Sequence, residues 1–153
     1  DSGIHLLLMG YGPLQPLVDA AAADLPHVHV HPAVAYEAVL EHTRSADVGL
    51  VSVKPTCLSY LYCLPNKLFD FLHAGLPVVC SDLPVAGRFV KENGTGEVAA
   101  EAQGDEAIAR SVAEAVLAVL AAPPLSAHLA AVADRHHWGA HEATVLAALH
   151  RPD

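Results

Sequence analysis

Three polar residues could do chemistry together. Asn66, Lys67 and Asp70 lie close in the stretch YCLPNKLFDFLHAGLPVVCSD, residues 62–82. A lysine and a carboxylate three residues apart on a helix face the same way. At a helix start they would join an ammonium and a carboxylate to unsatisfied backbone N–H groups, a set suited to a phosphorylated ribose. The plainer alternative is an exposed ion pair worth about 0.2–0.5 kcal/mol.

The surrounding residues specify the element that would position them. Pro65 suits a first helical turn, where its missing N–H costs nothing. Leu68, Phe69, Phe71 and Leu72 form an apolar stripe near helical spacing. Gly75 is a C-terminal stop, and Pro77 prevents continuation. The apolar run from Pro77 to Cys80 suits a strand covered on both faces.

The rest of the chain alternates in the same manner. Ile4–Met9 reads as a strand closed by Gly10-Tyr11-Gly12-Pro13, followed by a helix over residues 14–24. Residues 27–31 alternate as a second strand, 36–43 as a short helix and 47–53 as a third strand. Residues 54–64 read as a loop long enough to be functional. After the 66–74 helix and its strand come a helix at 85–92 and a turn at 93–96, where Gly94 and Gly96 serve the backbone. A weak strand at 97–100 follows, then helices at 105–122, 125–136 and 138–150, with Pro123-Pro124 breaking the first two apart. Strands alternating with helices imply one α/β domain with a parallel, doubly wound, Rossmann-like sheet. Ligands bind outside the carboxyl ends of such strands. The Gly10–Gly12 turn, the His31–Val34 turn, the 54–64 loop and Ser81–Asp82 are therefore expected on one rim.

Composition narrows the function. The 153 residues are 53% hydrophobic and 16% charged, which is globular rather than disordered. A net charge of -9 argues against nucleic acid or an anionic membrane as a general partner. No run has the length of a membrane span. Cys57, Cys63 and Cys80 are an odd number without metal spacing, which suits a reducing cytoplasm. Cys80 reads as a small core hydrophobe. His27, His29 and His31 would share a strand face, and imidazoles bind zinc, copper or nickel. A strand covered by helices leaves little room for an ion, so they read as structural or rim histidines, as does the His136-His137 pair.

The run LPNKLFDFLHAGLPVVCSD resembles the central helix of the GT-B glycosyltransferases, specifically the retaining family 4, where it lies in the C-terminal nucleotide-sugar-binding domain. That resemblance spans nearly the whole chain. It implies a nucleotide-sugar donor, with neither cofactor nor metal. It also implies that the family's opening strand, its Arg- and Lys-bearing loop and its N-terminal acceptor domain are absent before Asp1, so the chain would be a truncated piece with that domain as its partner. By resemblance, Asp70 takes the ribose hydroxyls, with Asp where Glu is usual. Lys67 and the helix start take the diphosphate, and Leu64 and Asn66 belong to the same donor-binding run. Gly10 and Gly12 approach the nucleotide, and His31 to Val34 the base. Tyr62 stands where many members carry a second glutamate for the sugar; it either contacts the sugar or packs on the rim. No catalytic residue is assigned.

The function implied is the donor-binding part of a transferase in polysaccharide or glycoconjugate synthesis. The parent would be cytoplasmic and peripheral at the inner face of the membrane. Two alternatives are a non-catalytic nucleotide-sugar-binding or interaction module and a GT-B type nucleotide-sugar epimerase. The epimerases share the fold without the PNKLFDFLHAG helix.

Overall fold

The alternation of strands and helices is realised as short parallel strands joined by helical crossovers. The computed structural model describes residues 3–122 and 125–149. It divides into two units, Asp1–Val39 and Leu40–Asp153.

In the first unit, β1 (Leu6–Met9) leads through α1 (Gln15–Asp24) to β2 (Val28–His31). The strands pair in parallel, Leu6 opposite Val28 and Met9 opposite His31. A helical crossover is what parallel pairing requires. No residue of α1 is buried, and Leu14 and Leu17 are exposed. The next helix, α2 (Tyr36–Thr43), spans the division at residue 39.

The second unit holds β3 (Gly49–Val51), α3 (Leu58–Leu61), α4 (Asn66–Ala74), β4 (Val78–Ser81), α5 (Ala86–Asn93) and β5 (Gly96–Ala99), followed by α6 (Asp105–Ala121), α7 (Ser126–Arg135) and α8 (Trp138–Leu149). Its sheet runs β3-β4-β5, all parallel, with Val51, Cys80 and Val98 side by side. The middle strand explains the apolar run in the sequence. Side chains of a strand alternate between faces. Val78 and Cys80 join Val51, Leu68, Leu72, Val90, Leu129 and Val132 on one side. Val79 joins Ala99, Ala115 and Val119 on the other. Helices α4, α5 and α7 thus cover one face and α6 the opposite one.

Two glycines are required by backbone geometry. Gly75 closes α4 at φ +82, a left-handed conformation that disfavours side chains. A Cβ on Gly96, at φ +152, would collide with the backbone of Val78, so β5 lies against β4 only because this residue has none.

Several expectations shift. The third strand narrows from 47–53 to Gly49–Val51. The fourth begins at Val78, because Pro77 has no N–H to give; its carbonyl instead accepts from the Gly49 N–H at 2.9 Å. The first strand excludes Ile4 and His5, and the second excludes His27. The 54–64 segment contains the helical turn α3. In place of a single sheet, β1-β2 and β3-β4-β5 form separate ladders. Alternation dictates that neighbouring strands run parallel; it does not dictate that all share one set of hydrogen bonds. Pro123, Pro124 and His150 lie outside the described residues.

Candidate functional site

Helix α4 begins one residue later than its sequence suggests. Pro65 is the cap, at φ −67 and ψ 140, rather than part of the first turn. Its carbonyl accepts from the Leu68 N–H at 3.0 Å. Proline has no side-chain acceptor, and no side chain caps this helix. The backbone N–H groups of Asn66 and Lys67 therefore open outward at the positive end of the helix dipole.

Burial of Leu68 and Leu72 fixes the rotation of α4. Asn66 and Lys67 are consequently exposed, and Asp70 is half-buried one turn along. No hydrogen bond or ion pair engages these three side chains among the described residues, so the three-residue spacing does not produce a Lys67–Asp70 salt link.

Beside this helix start lies a cavity of about 530 Å³, lined by Ser52, Val53, Lys54, Thr56, Tyr60, Cys63 and Pro65. It opens beyond the carboxyl end of β3. The Val53 N–H donates to Ser81 Oγ at 2.9 Å, which ties the end of β3 to the end of β4. Tyr60 reaches the wall from α3 and Cys63 from just beyond its cap, and Pro65 belongs to both the cavity and the α4 cap.

Charges on this edge are mostly paired. Lys54 Nζ donates to Asp105 Oδ1 at 2.7 Å, linking the segment after β3 to the start of α6. That hydrogen bond, and then the lysine's charge, holds the Asp105 carboxyl below its usual range. Lys91 Nζ donates to Asp82 Oδ1 at 3.1 Å. Burial, then the nearby Asp82 charge, pushes the Cys80 thiol up to about 11, which suits a packing residue.

The structure groups the remaining sequence candidates within their own units. In the first, the Gly10 N–H donates to the His31 carbonyl at 3.2 Å. Gly10 does so at φ +146, beyond the reach of most side-chain-bearing residues. His31 Nδ1 lies 2.7 Å from the Pro32 carbonyl. The Gly12 carbonyl accepts from the Gln15 N–H at 3.1 Å and so launches α1. Val34 is half-buried between β2 and α2.

In the second unit, Tyr62 and Leu64 are exposed, and neither lines the cavity. Asn66, Lys67 and Asp70 are not in its wall either; the wall residue Pro65 immediately precedes Asn66. Lys54, Tyr60 and Cys63 carry no signal in the sequence that would single them out. The length of the 54–64 segment points to the region, but a four-residue helical turn without a capping side chain leaves no pattern to select them.

In the first unit His5 contacts both His27 and His29. His5 Nδ1 and His29 Nε2 are 2.8 Å apart, and the His27 ring meets His5 edge-on at 5.2 Å. Among the described residues no group of three or more His, Cys, Asp and Glu is arranged to hold a metal ion. A further cavity in the second unit, of like volume, is lined by Asp47, Pro77 and Gly96. These residues sit at the amino ends of the strands, the edge that doubly wound sheets do not use for ligands.

Residues 1–121 match the family model described as glycosyl transferases group 1. The chain belongs to this family. Among solved structures it is similar to WaaG, a glycosyltransferase involved in lipopolysaccharide biosynthesis, with a TM-score of 0.60 and 20% identity. The likeness covers 85% of this chain and 34% of WaaG, so the chain spans about a third of that relative's length. No curated protein matches. This group 1 glycosyl transferase chain has the fold of a GT-B C-terminal domain. Its family match takes in both units and ends with α6. No single helix among the described residues is long and apolar enough to cross a membrane.

Proposed function

We propose that this chain is the donor-binding part of a retaining, family 4-type glycosyltransferase that takes its sugar from a nucleotide-sugar. The observation that carries this reading is the start of α4. Open backbone N–H groups, a Lys67 ammonium and a half-buried Asp70 carboxylate, neither side chain paired among the described residues, follow on Pro65, which lines a cavity at the carboxyl edge of the sheet. An unpaired carboxylate half out of water is suited to accept two adjacent ribose O–H groups. An ammonium at a helix start is suited to a diphosphate, whose charge rises as the sugar departs.

In this reading Asn66 and Leu64 shape the approach to the helix start, and Tyr62 meets the sugar end of the donor. By the family resemblance alone, Gly10, Gly12, His31 and Val34 are also proposed as donor-binding residues. The reaction needs no metal or cofactor, and acceptor groups come from an N-terminal domain of the same protein. The product is a polysaccharide or glycoconjugate, as the involvement of WaaG in lipopolysaccharide biosynthesis suggests, made in the cytoplasm at the inner face of the membrane.

Ligand-observed NMR with UDP, GDP and ADP at millimolar concentration tests this. One nucleotide should bind selectively, and Asp70→Ala should weaken it by about tenfold or more, the scale of hydrogen bonds to a charged group. Binding that survives Asp70→Ala would remove the carboxylate from the site. Absence of binding by every nucleotide would sink the donor reading.

A further inference from the structure

We propose that Lys54 is a second anion-reading residue of this site, held by Asp105 until ligand arrives. The proposal rests on the donor-binding reading above and assigns a role to a residue outside the α4 motif. Lys54 is the one cationic side chain among the described residues lining the cavity beyond β3. Its backbone is fixed there because the preceding residue, Val53, gives its N–H to Ser81 Oγ. Its ammonium reaches Asp105, at the start of α6, which follows β5. In the order β3-β4-β5 that link joins the segments that follow the two outer strands, on the carboxyl edge where doubly wound sheets receive their ligands.

The weakness of the pair makes exchange feasible. The Lys54 and Asp105 side chains are 66% and 87% exposed, and a pair so open to water is weak and screened by salt. A ligand pyrophosphate, or a carboxylate on the sugar beside it, offers the ammonium more negative charge than one aspartate. In a chain of net charge -9, an anionic ligand needs local cations. Lys91 on this edge is occupied by Asp82, which leaves Lys67 and an exchangeable Lys54. When the ligand enters, the lysine moves from Asp105 to the anion, and no proton or covalent bond changes hands.

Two substitutions that break the same pair should act in opposite directions. Lys54→Ala should weaken nucleoside diphosphate binding about tenfold. Asp105→Asn should tighten it about two- to fivefold at low salt by releasing the lysine. Lys54→Arg should retain most of the affinity.

The measurement is NMR titration of the full chain with UDP, GDP, ADP and UDP-glucuronate, with thermal midpoints as a folding control. Equal losses in Lys54→Ala and Asp105→Asn would make the pair a structural brace and overturn the proposal. Loss of binding in Asp70→Ala with none in Lys54→Ala would overturn it while sparing the donor site; no binding by wild type would overturn both. A Lys54→Ala effect on free diphosphates assigns the pyrophosphate, and one confined to the glucuronate assigns the sugar carboxylate.

Discussion

The two units use similar apolar strands to opposite effect. The sequence of β1, LLLM, is as apolar as the core of β4, VVCS. Yet Leu6 and Leu7 are 40% and 48% exposed, while Val78 and Val79 are wholly buried. The difference lies in what flanks each strand. Strand β4 has a parallel partner on each side and helices against both faces, whereas among the described residues β1 pairs with β2 alone. Every buried residue described lies between residues 49 and 133, within the second unit. Hydrophobic sequence therefore supplies the capacity for burial, and topology decides whether it is used. The candidate site draws its rigidity from the unit that uses it: Leu68 and Leu72 orient α4, and Ser81 anchors the segment that carries Lys54.

This contrast can be broken most directly by truncating one leucine in each region. Leu68 is fully buried among residues from β3, β4 and α7. Leu68→Ala should cost about 2–5 kcal/mol through lost transfer energy and the cavity left behind. Leu17, on α1, is 67% exposed. Leu17→Ala should stay within about 0.5 kcal/mol of wild type. Urea unfolding followed by circular dichroism measures both. Comparable costs would mean that the first unit has a core of its own and that the contrast fails.

What could be read from the sequence follows the range of the forces involved. Helix α4 is legible because its signals are local: a proline before it, leucines at helical spacing, and a glycine at its end. The two-sided burial of β4 is legible because a short, unbroken apolar run bounded by turn residues is what a strand covered on both faces requires. The exposure of β1 is not, since LLLM carries no record of how many strands will flank it. The links that organise the site's edge are equally invisible. Lys54 and Asp105 are 51 residues apart, and Val53 and Ser81 are 28 apart. Pairings at such separations depend on the finished sheet. The splitting of the sheet into two ladders belongs to the same class of non-local outcome.

A smaller effect tests how dry the second unit's interior is. Thr95 precedes β5 and is fully buried. Its backbone is satisfied: the N–H donates to the Val90 carbonyl, and its own carbonyl accepts from the Val78 N–H. Its Oγ1 has no hydrogen-bond partner among the described residues. A buried hydroxyl left unpaired costs about 1–3 kcal/mol relative to water. Thr95→Val keeps the shape and removes the penalty, so it should stabilise the chain by about 1 kcal/mol. A loss of stability in the same urea experiment would show that the hydroxyl has a role that packing does not explain.

The smallest expected effect is a pH dependence on the same side of the comparison. The His136 ring packs against Phe89 at 5.0 Å and Phe69 at 6.2 Å between centroids, beside the α4 face that carries the core leucines. Burial first, and then the charges of His141 and Arg135, lower its pKa below the ordinary histidine value of 6.5. The unfolded chain therefore takes up this proton more readily than the folded one. Stability should be complete above the unfolded value and decline as pH falls through 6.5 towards the lower folded value. Urea midpoints at about pH 7.5 and 5.5 bracket that window, and His136→Gln should flatten the difference between them. An unchanged slope in His136→Gln would mean that the aromatic cluster tolerates the charge, and that the helix carrying the site keeps its support at mildly acidic pH.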